Sequence, residues 1–418
     1  MTEQAAGVVR VVHAADVHLD SPLRGLRRLG DDAVADTLRA ATRGALEALV
    51  ALCEDQRADA LLLAGDLYDG TWHDYATGRF FTRQVQRLAD SGIKVFVVSG
   101  NHDAESQITH SLTLPPNVHR FGVDSPGTVV EEHLGLAVHG QGYRTRAVSS
   151  NLAAGYPREV PGVVNVGLLH ATVDGSRSGG EHERYAPCSV DDLTALGYEY
   201  VALGHVHARE VLATGRTTVA YSGNLQGRHP RETGAKGAYV VDLAPGEPAQ
   251  LTFHPLDVAR WESLEVDVTD ASDVADAMGL LRGRLLDARR DAGDRPLVVR
   301  VALEGPTAAA ADLADAERLR HEAEQVAEAA GVVLEKVGSR ARPPRAGGAD
   351  DPELVAAVRA AADALAQDPA LTQLVRGVRA ETGRLLSDAG LLDLADPRAL
   401  AELARQAAQD LSTRLEGR

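Results

Sequence analysis

Five short apolar runs, Val8 to His13, Ala60 to Ala64, Lys94 to Ser99, Val163 to Leu169 and Tyr198 to Leu203, each close on a polar cluster. The clusters are Asp16-Val17-His18, Gly65-Asp66, Gly100-Asn101-His102-Asp103, His170 and Gly204-His205-Val206-His207. Short runs rich in Val, Ile and Leu that end in Gly, Asn, Asp or His read as strands. Segments between the runs carry helical periodicity: Val34, Leu38, Ala41, Ala45, Leu49 and Leu52 share one face of a helix over Asp32 to Cys53, and a second helix is expected from about Thr77 to Ala89. Strands alternating with helices predict an α/β fold. Loops at one edge of such a sheet converge, so the five clusters can meet in one cleft. Further strand-like stretches lie at Val129 to Glu132, Gly135 to Gly140, Thr217 to Tyr221 and Ala238 to Leu243.

The pattern changes after Trp261. Strand-like SLEVDV, a helix from about Ala271 to Arg290, strand-like PLVVRVAL, a helix from about Ala311 to Ala330 and VVLEKV predict a small α/β domain over 259–340, after a first domain over 1–258. Residues 341–351 have the Pro, Gly and charge content of a linker. The stretch 352–418 reads as helical, broken at Asp368-Pro369 and Asp396-Pro397.

Cys53 and Cys188 are the only cysteines and no CxxC occurs, which argues against a disulfide framework or a thiolate metal site. Any metal must therefore be held by His, Asp, Glu or Asn. Each cluster alone admits a plain structural reading, since Asn and Gly favour turns and two histidines at i and i+2 of a strand can form a surface pair. Five clusters in this order, each at a strand end, are poorly explained by five coincidences. Imidazole, carboxylate and amide oxygen together suit Mn²⁺, Fe²⁺ or Zn²⁺, and a central carboxylate can bridge two ions about 3.5 to 4 Å apart. The glycines before Asp66, Asn101 and His205 would let the backbone come close to such a site.

The order DxH, GD, GNHD, H, GHxH resembles the calcineurin-like metallophosphoesterase superfamily. The longer strings HAADVHLDSPLRGL and SGNLQGRHPRETGAKGAYVVDL resemble the YhaO group of DNA repair exonucleases, relatives of the SbcD nuclease subunit, over about the first 260 residues. The resemblance implies a β-sandwich flanked by helices, a small α/β capping domain and a helical C-terminal tail. It implies two divalent metal ions, with Mn²⁺ expected first. Asp16, His18 and His207 would hold one ion, Asn101, His170 and His205 the other, and Asp66 would bridge them. His102 would be the catalytic histidine, with Asp103 orienting its ring. The activity implied is hydrolysis of phosphodiester bonds by a metal-activated water, as a DNA exonuclease or endonuclease subunit in repair. A small-nucleotide phosphodiesterase or nucleotidase, and a scaffolding subunit with weak catalysis, are the alternatives. One departure bears on this choice: Gly65-Asp66-Leu67-Tyr68-Asp69-Gly70-Thr71 lacks the arginine of the phosphatase string GDxxDRG, which makes phosphoprotein hydrolysis a poor fit. Asp69 stands where archaeal and eukaryotic relatives carry His, as in the bacterial SbcD pattern.

Arg228, His229, Arg231 and Lys236 form a basic stretch that could hold a DNA phosphate, or could be a solvated turn salt-bridged through Glu232. Arg24, Arg27 and Arg28 could line the substrate path or form a solvated helix face, and Tyr68 and Trp72 could stack on a base or belong to the core. A formal charge of −17, from 43 Lys and Arg against 60 Asp and Glu, disfavours non-specific attraction of the whole protein to nucleic acid. In the resembled proteins a region like 352–418 docks on an SMC-like ABC ATPase subunit of the SbcC or YhaN kind, and the same partner could supply the missing DNA affinity; a homodimer is a further assembly to test. No apolar run approaches the roughly 20 residues of a membrane span, and the opening MTEQAAGVVRVVHAADV lacks a basic stretch followed by a long apolar one. A cytoplasmic location without a membrane partner is the expectation.

Overall fold

The computed structural model describes residues 7–21, 32–69, 75–105, 113–176 and 184–344, and four isolated helical positions at 357, 360, 361 and 364. The chain divides into two compact units, Met1–Gly305 with Ala311–Ala341, and Pro306–Ala310 with Arg342–Arg418. In the second unit the Thr307 amide donates to the Arg342 carbonyl at 2.8 Å, joining its two pieces. Those four positions apart, the expected tail over 352–418 lies outside the described residues.

In the first unit the strands are β1 (Val9–Ala14), β2 (Ala60–Ala64), β3 (Lys94–Val98), β4 (Val118–Arg120), β5 (Gly127–Glu131), β6 (Leu136–Gln141), β7 (Val164–His170), β8 (Tyr200–Gly204), β9 (Glu210–Ala213), β10 (Thr218–Tyr221), β11 (Gly237–Leu243) and β12 (Gln250–Pro255). They form two six-stranded sheets, ordered β12-β11-β1-β2-β3-β4 and β5-β6-β7-β8-β10-β9. β1 to β4 run parallel, as do β6, β7, β8 and β10. The flanking strands β11, β12, β5 and β9 are antiparallel to their neighbours.

Alternation along the strands explains why the runs look uniformly apolar. On β2, Leu61 and Leu63 join the core shared with helices α1 (Asp32–Asp55) and α2 (Tyr75–Asp90), while Ala60, Leu62 and Ala64 join the core between the two sheets. β3 repeats this, with Val95 and Val97 on the helix side and Phe96 and Val98 against Phe121, Val138 and Val166. Each leucine buried this way contributes about 1.5–3 kcal/mol relative to exposure. Of the expected α1 face, Leu38, Ala41, Ala45, Leu49 and Leu52 are buried. The result is a β-sandwich flanked by helices.

Beyond it, β13 (Arg260–Asp267), β14 (Leu297–Pro306) and β15 (Val333–Arg342) form a separate three-stranded sheet, in which β13 and β14 are parallel. Helix α3 (Val274–Ala292) buries Val274, Ala277, Met278, Leu281 and Leu285, and Asp273 caps it through the Asp276 amide. Among the described residues no helix is long and apolar enough to cross a membrane.

Candidate metal centre

All five clusters lie at the C-terminal ends of parallel strands: after β1, β2 and β3 in one sheet, and at β7 and after β8 in the other. Their loops are laced together. The amides of Asp16, His18 and Leu19 donate to the carbonyls of Gly65, Asp66 and Leu67 at 3.0, 3.0 and 2.9 Å. The Asp103 carboxylate accepts from the amides of Leu67, Tyr68 and Gly100 at 3.2, 3.1 and 3.0 Å, tying the third loop to the second. Glycine is needed where backbones nearly touch: a Cβ on Gly204 would sit 1.9 Å from the Ala64 carbonyl oxygen, and one on Gly100 would sit 2.2 Å from Asp66 Oδ1. Asp16, His18, Asp66 and His205 all have positive φ, at 51°, 44°, 51° and 101°. Such strained backbone persists only where its surroundings over-determine it, and it gathers at functional sites.

The side chains of these residues present lone pairs to one another. His170 donates Nδ1–H to the Ala64 carbonyl at 2.9 Å, which leaves Nε2 unprotonated 3.0 Å from Asn101 Oδ1 and 3.5 Å from Asp66 Oδ2. His207 donates Nδ1–H to Glu232 Oε1 at 2.7 Å, and its unprotonated Nε2 lies 3.2 Å from His18 Nε2 and 3.9 Å from Asp16 Oδ1. The His102 amide donates to Asp66 Oδ1 at 2.9 Å, so Oδ2 is the oxygen left between His170 and His18, 3.9 Å from His18 Nε2. His205 gives its amide to the Asp16 carboxylate at 3.0 Å and lays its ring 5.2 Å from that of His170. Asp66 Oδ2, Asn101 Oδ1 and the unprotonated His170 Nε2 are acceptors facing one another, and at such separations they repel unless a cation lies among them. Asp16, His18 and His207 form one group with metal-holding spacing, and Asp16, Asp66 and His170 another. The His18 Nδ1 atom is buried without a hydrogen-bond partner.

Electrostatics point the same way. Burial pushes the Asp66 carboxyl up to about 6 and the Asp16 carboxyl well above its ordinary value. It pulls the His170 ring down to about 3 and the His18 ring well below its ordinary value. Neutral imidazoles and carboxylates short of counter-charge are the donor set that divalent cations satisfy.

The expected pairing of Asp103 with the His102 ring needs correction. Asp103 is turned onto three backbone amides, and the ring partner is Asp69: His102 Nδ1–H donates to Asp69 Oδ1 at 2.9 Å. Asp69 also accepts from the Ser21 hydroxyl at 2.6 Å and lies 3.4 Å from Arg228 Nη1. His102 lines a cleft of about 330 Å³ together with Asp66, Asn101, His205, His207, Arg228, Arg146 and Tyr185.

The basic stretch does not form a single surface. Arg228 enters the cleft, Lys236 turns inward with Nζ donating to the His207 carbonyl at 3.0 Å, His229 is half-exposed and Arg231 is exposed. Glu232 is not the anchor of a solvated turn. It is buried, holding His207 and accepting from Asn224 at 3.0 Å and from the Arg228 amide at 2.6 Å. Burial opposes its ionisation, but the His207 bond together with the charges of His207, Arg228 and His229 outweighs this and keeps its pKa below the usual carboxylate range. Tyr68 is a core residue, edge-on to Phe81. Arg24, Arg27, Arg28 and Trp72 lie outside the described residues.

Comparison with known proteins decides the family. The chain is 34% identical over 297 residues to the uncharacterized metallophosphoesterase YhaO of Bacillus subtilis (strain 168), covering 70% of this chain and 71% of that protein. The chain belongs to the calcineurin-like metallophosphoesterases. Residues 9–209 match the calcineurin-like phosphoesterase family, and 261–342 match the middle domain of metallophosphoesterase YhaO. Two other relatives of this metallophosphoesterase carry nuclease or repair names. The SbcD subunit of the nuclease SbcCD from B. subtilis (strain 168) is 26% identical over 278 residues, covering 58% of this chain and 68% of its own. The DNA double-strand break repair protein Mre11 of Aeropyrum pernix is 27% identical over 333 residues, covering 74% and 77%.

Proposed function

We propose that this metallophosphoesterase is a two-metal phosphodiesterase that cuts DNA, acting as an exonuclease or endonuclease subunit in repair. The observation that carries the reading is Asp66 Oδ2, held 3.5 Å from His170 Nε2 and 3.9 Å from His18 Nε2, where one carboxylate can serve two ions. Asp16, His18 and His207 would hold one ion and Asn101, His170 and His205 the other, with Mn²⁺ expected and Fe²⁺ or Zn²⁺ as the other choices. Divalent cations held there would supply Lewis acidity, making a water more acidic and neutralising charge on phosphoryl oxygens.

The chain's own groups do the rest. Asp69 fixes the His102 ring by its Nδ1–H, so Nε2 is the atom offered to substrate, to protonate or stabilise the leaving oxygen. Burial works against a charged His102, but the Asp69 hydrogen bond and the negative charges of Asp66 and Asp69 together offset it and raise the ring's pKa. Arg228 Nη1 sits on Ser21 and Asp69 at 3.2 and 3.4 Å, oriented to meet a phosphate. His229 stands at the cleft's edge, with Arg231 beyond it. Support for DNA as substrate comes from the two relatives named for nuclease and break-repair activity. The residues 352–418 are proposed to dock on an SMC-like ABC ATPase subunit, in the cytoplasm.

The test compares Mn²⁺-loaded protein on single-stranded DNA, bis-p-nitrophenyl phosphate and cyclic nucleotides. Cleavage of DNA is expected. Turnover of the small esters with indifference to DNA would make it a small-nucleotide phosphodiesterase. Two bound ions without polynucleotide cleavage, with the ATPase retained through 352–418, would make it a scaffold.

A further inference from the structure

A second groove, of about 420 Å³, lies beside the metal cleft and shares His207, His229 and Glu232 with it as a common wall. Arg209, Arg231 and Lys236 also line it. The charges there divide unevenly. Glu232, the acid in the lining, is already engaged by His207, Arg228 and His229, at 2.7, 3.7 and 3.4 Å. Lys236 is spent internally on the His207 carbonyl. Arg209 and Arg231 are both exposed, and among the described residues neither is paired with a carboxylate. Arg209 is nonetheless held in place: its guanidinium lies 3.8 Å from the centre of the Phe253 ring. Stacking of this kind leaves the N–H edge free. Two unpaired arginines in one groove are unexpected on a chain of formal charge −17. They call for an anion from outside.

We infer that this groove is a phosphate-binding subsite for the DNA strand beyond the scissile bond, with Arg209 and Arg231 as its contacts. The inference rests on the proposed phosphodiesterase reading and narrows its substrate. A ligand that lies in the metal cleft and continues over the His207–His229 wall must carry phosphates at repeated intervals, which a polynucleotide does and a mononucleotide does not. Arg209 follows closely on the His205-Val206-His207 cluster, so the backbone that positions the metal ligands also positions this contact. The two arginines account for affinity and register along the strand, and they carry no base-specific reading.

The experiment uses the full chain with Mn²⁺ and the double variant Arg209→Ala/Arg231→Ala. Hydrolysis of a twelve-residue oligo-dT and of bis-p-nitrophenyl phosphate is measured across salt concentrations, and binding of the same oligomer is followed by fluorescence anisotropy with Ca²⁺ in place of Mn²⁺. The double variant is expected to raise the oligomer's Kd and KM about tenfold. The slope of log Kd against log salt is expected to flatten by about 1.4, as two phosphate contacts on a single strand are lost. The loss in kcat/KM should be about ten times greater for the oligomer than for the small ester. An unchanged Kd and salt slope, or equal losses on both substrates, overturns the subsite. If the parent chain cuts no oligomer, the nuclease reading fails, while the anisotropy arm still decides whether the groove binds a strand.

Discussion

Removing the Asp69 carboxylate is predicted to slow hydrolysis in proportion to how much the departing oxygen needs a proton. The His102–Asp69 bond is 2.9 Å long, charge-assisted and only partly exposed, the Asp69 side chain being 23% accessible. A hydrogen bond to a charged group is worth about 1.5–3 kcal/mol. If that energy holds the ring in its working tautomer and orientation, its loss corresponds to about 10- to 100-fold in rate. The assay compares Asp69→Asn and the parent chain, both loaded with Mn²⁺, on bis-p-nitrophenyl phosphate and on a dinucleotide. p-Nitrophenolate leaves as a stable anion, so the variant should lose no more than about threefold there, against 10- to 100-fold where an alkoxide leaves. His102→Ala should show the same split, with metal content intact. Equal losses on both esters would refute the reasoning. So would finding the split in Asp103→Asn, which is instead expected to loosen the three amides Asp103 ties together and lower Tm.

Other parts of the site have separable consequences. Glu232→Gln weakens the partner that sets the His207 tautomer, and metal affinity should fall about 10- to 100-fold, read by isothermal titration. Gly204→Ala places a methyl 1.9 Å from the Ala64 carbonyl and should cost at least about 1–3 kcal/mol in urea unfolding. His13 is buried and neutral, bonded to the Tyr200 hydroxyl and the Leu203 carbonyl, and burial pulls its pKa from 6.5 down to about 3. The folded value is depressed, so the unfolded chain takes up a proton first. Stability from this residue is full above pH 6.5 and falls by up to about 1.4 kcal/mol per unit as pH drops towards 3. His13→Gln should be less stable at pH 8 yet show a shallower decline from pH 6.5 to 5 by chemical denaturation.

The strands that bring the ligands together were legible because both faces are apolar. β2 has no polar position and β3 only its first, Lys94, and their ends are marked by Gly65 and Gly100. The edge strands β4 and β12 gave little signal, because half-exposed positions such as those along Gln250–Pro255 carry few apolar residues, and β9 is only 4 residues long. Division into two sheets followed from the resemblance to metallophosphoesterases and not from periodicity, which does not say which strands share a sheet. Within the site, the donors were readable as residue types at strand ends. Their partners were not. Asp103 stands next to His102 in sequence but enters a 3₁₀ turn that aims it at backbone amides, whereas Asp69 reaches the ring from another loop. Glu232 meets His207 across 25 residues, and nothing in the sequence around Arg209 marks Phe253 as its stacking partner.

Metal counting by mass spectrometry on the purified chain and on Asp66→Ala tests the central claim most directly. The account predicts two divalent ions per parent chain and loss of both in the variant. Two ions still bound after Asp66 is removed, or none in the parent at saturating Mn²⁺, would contradict it.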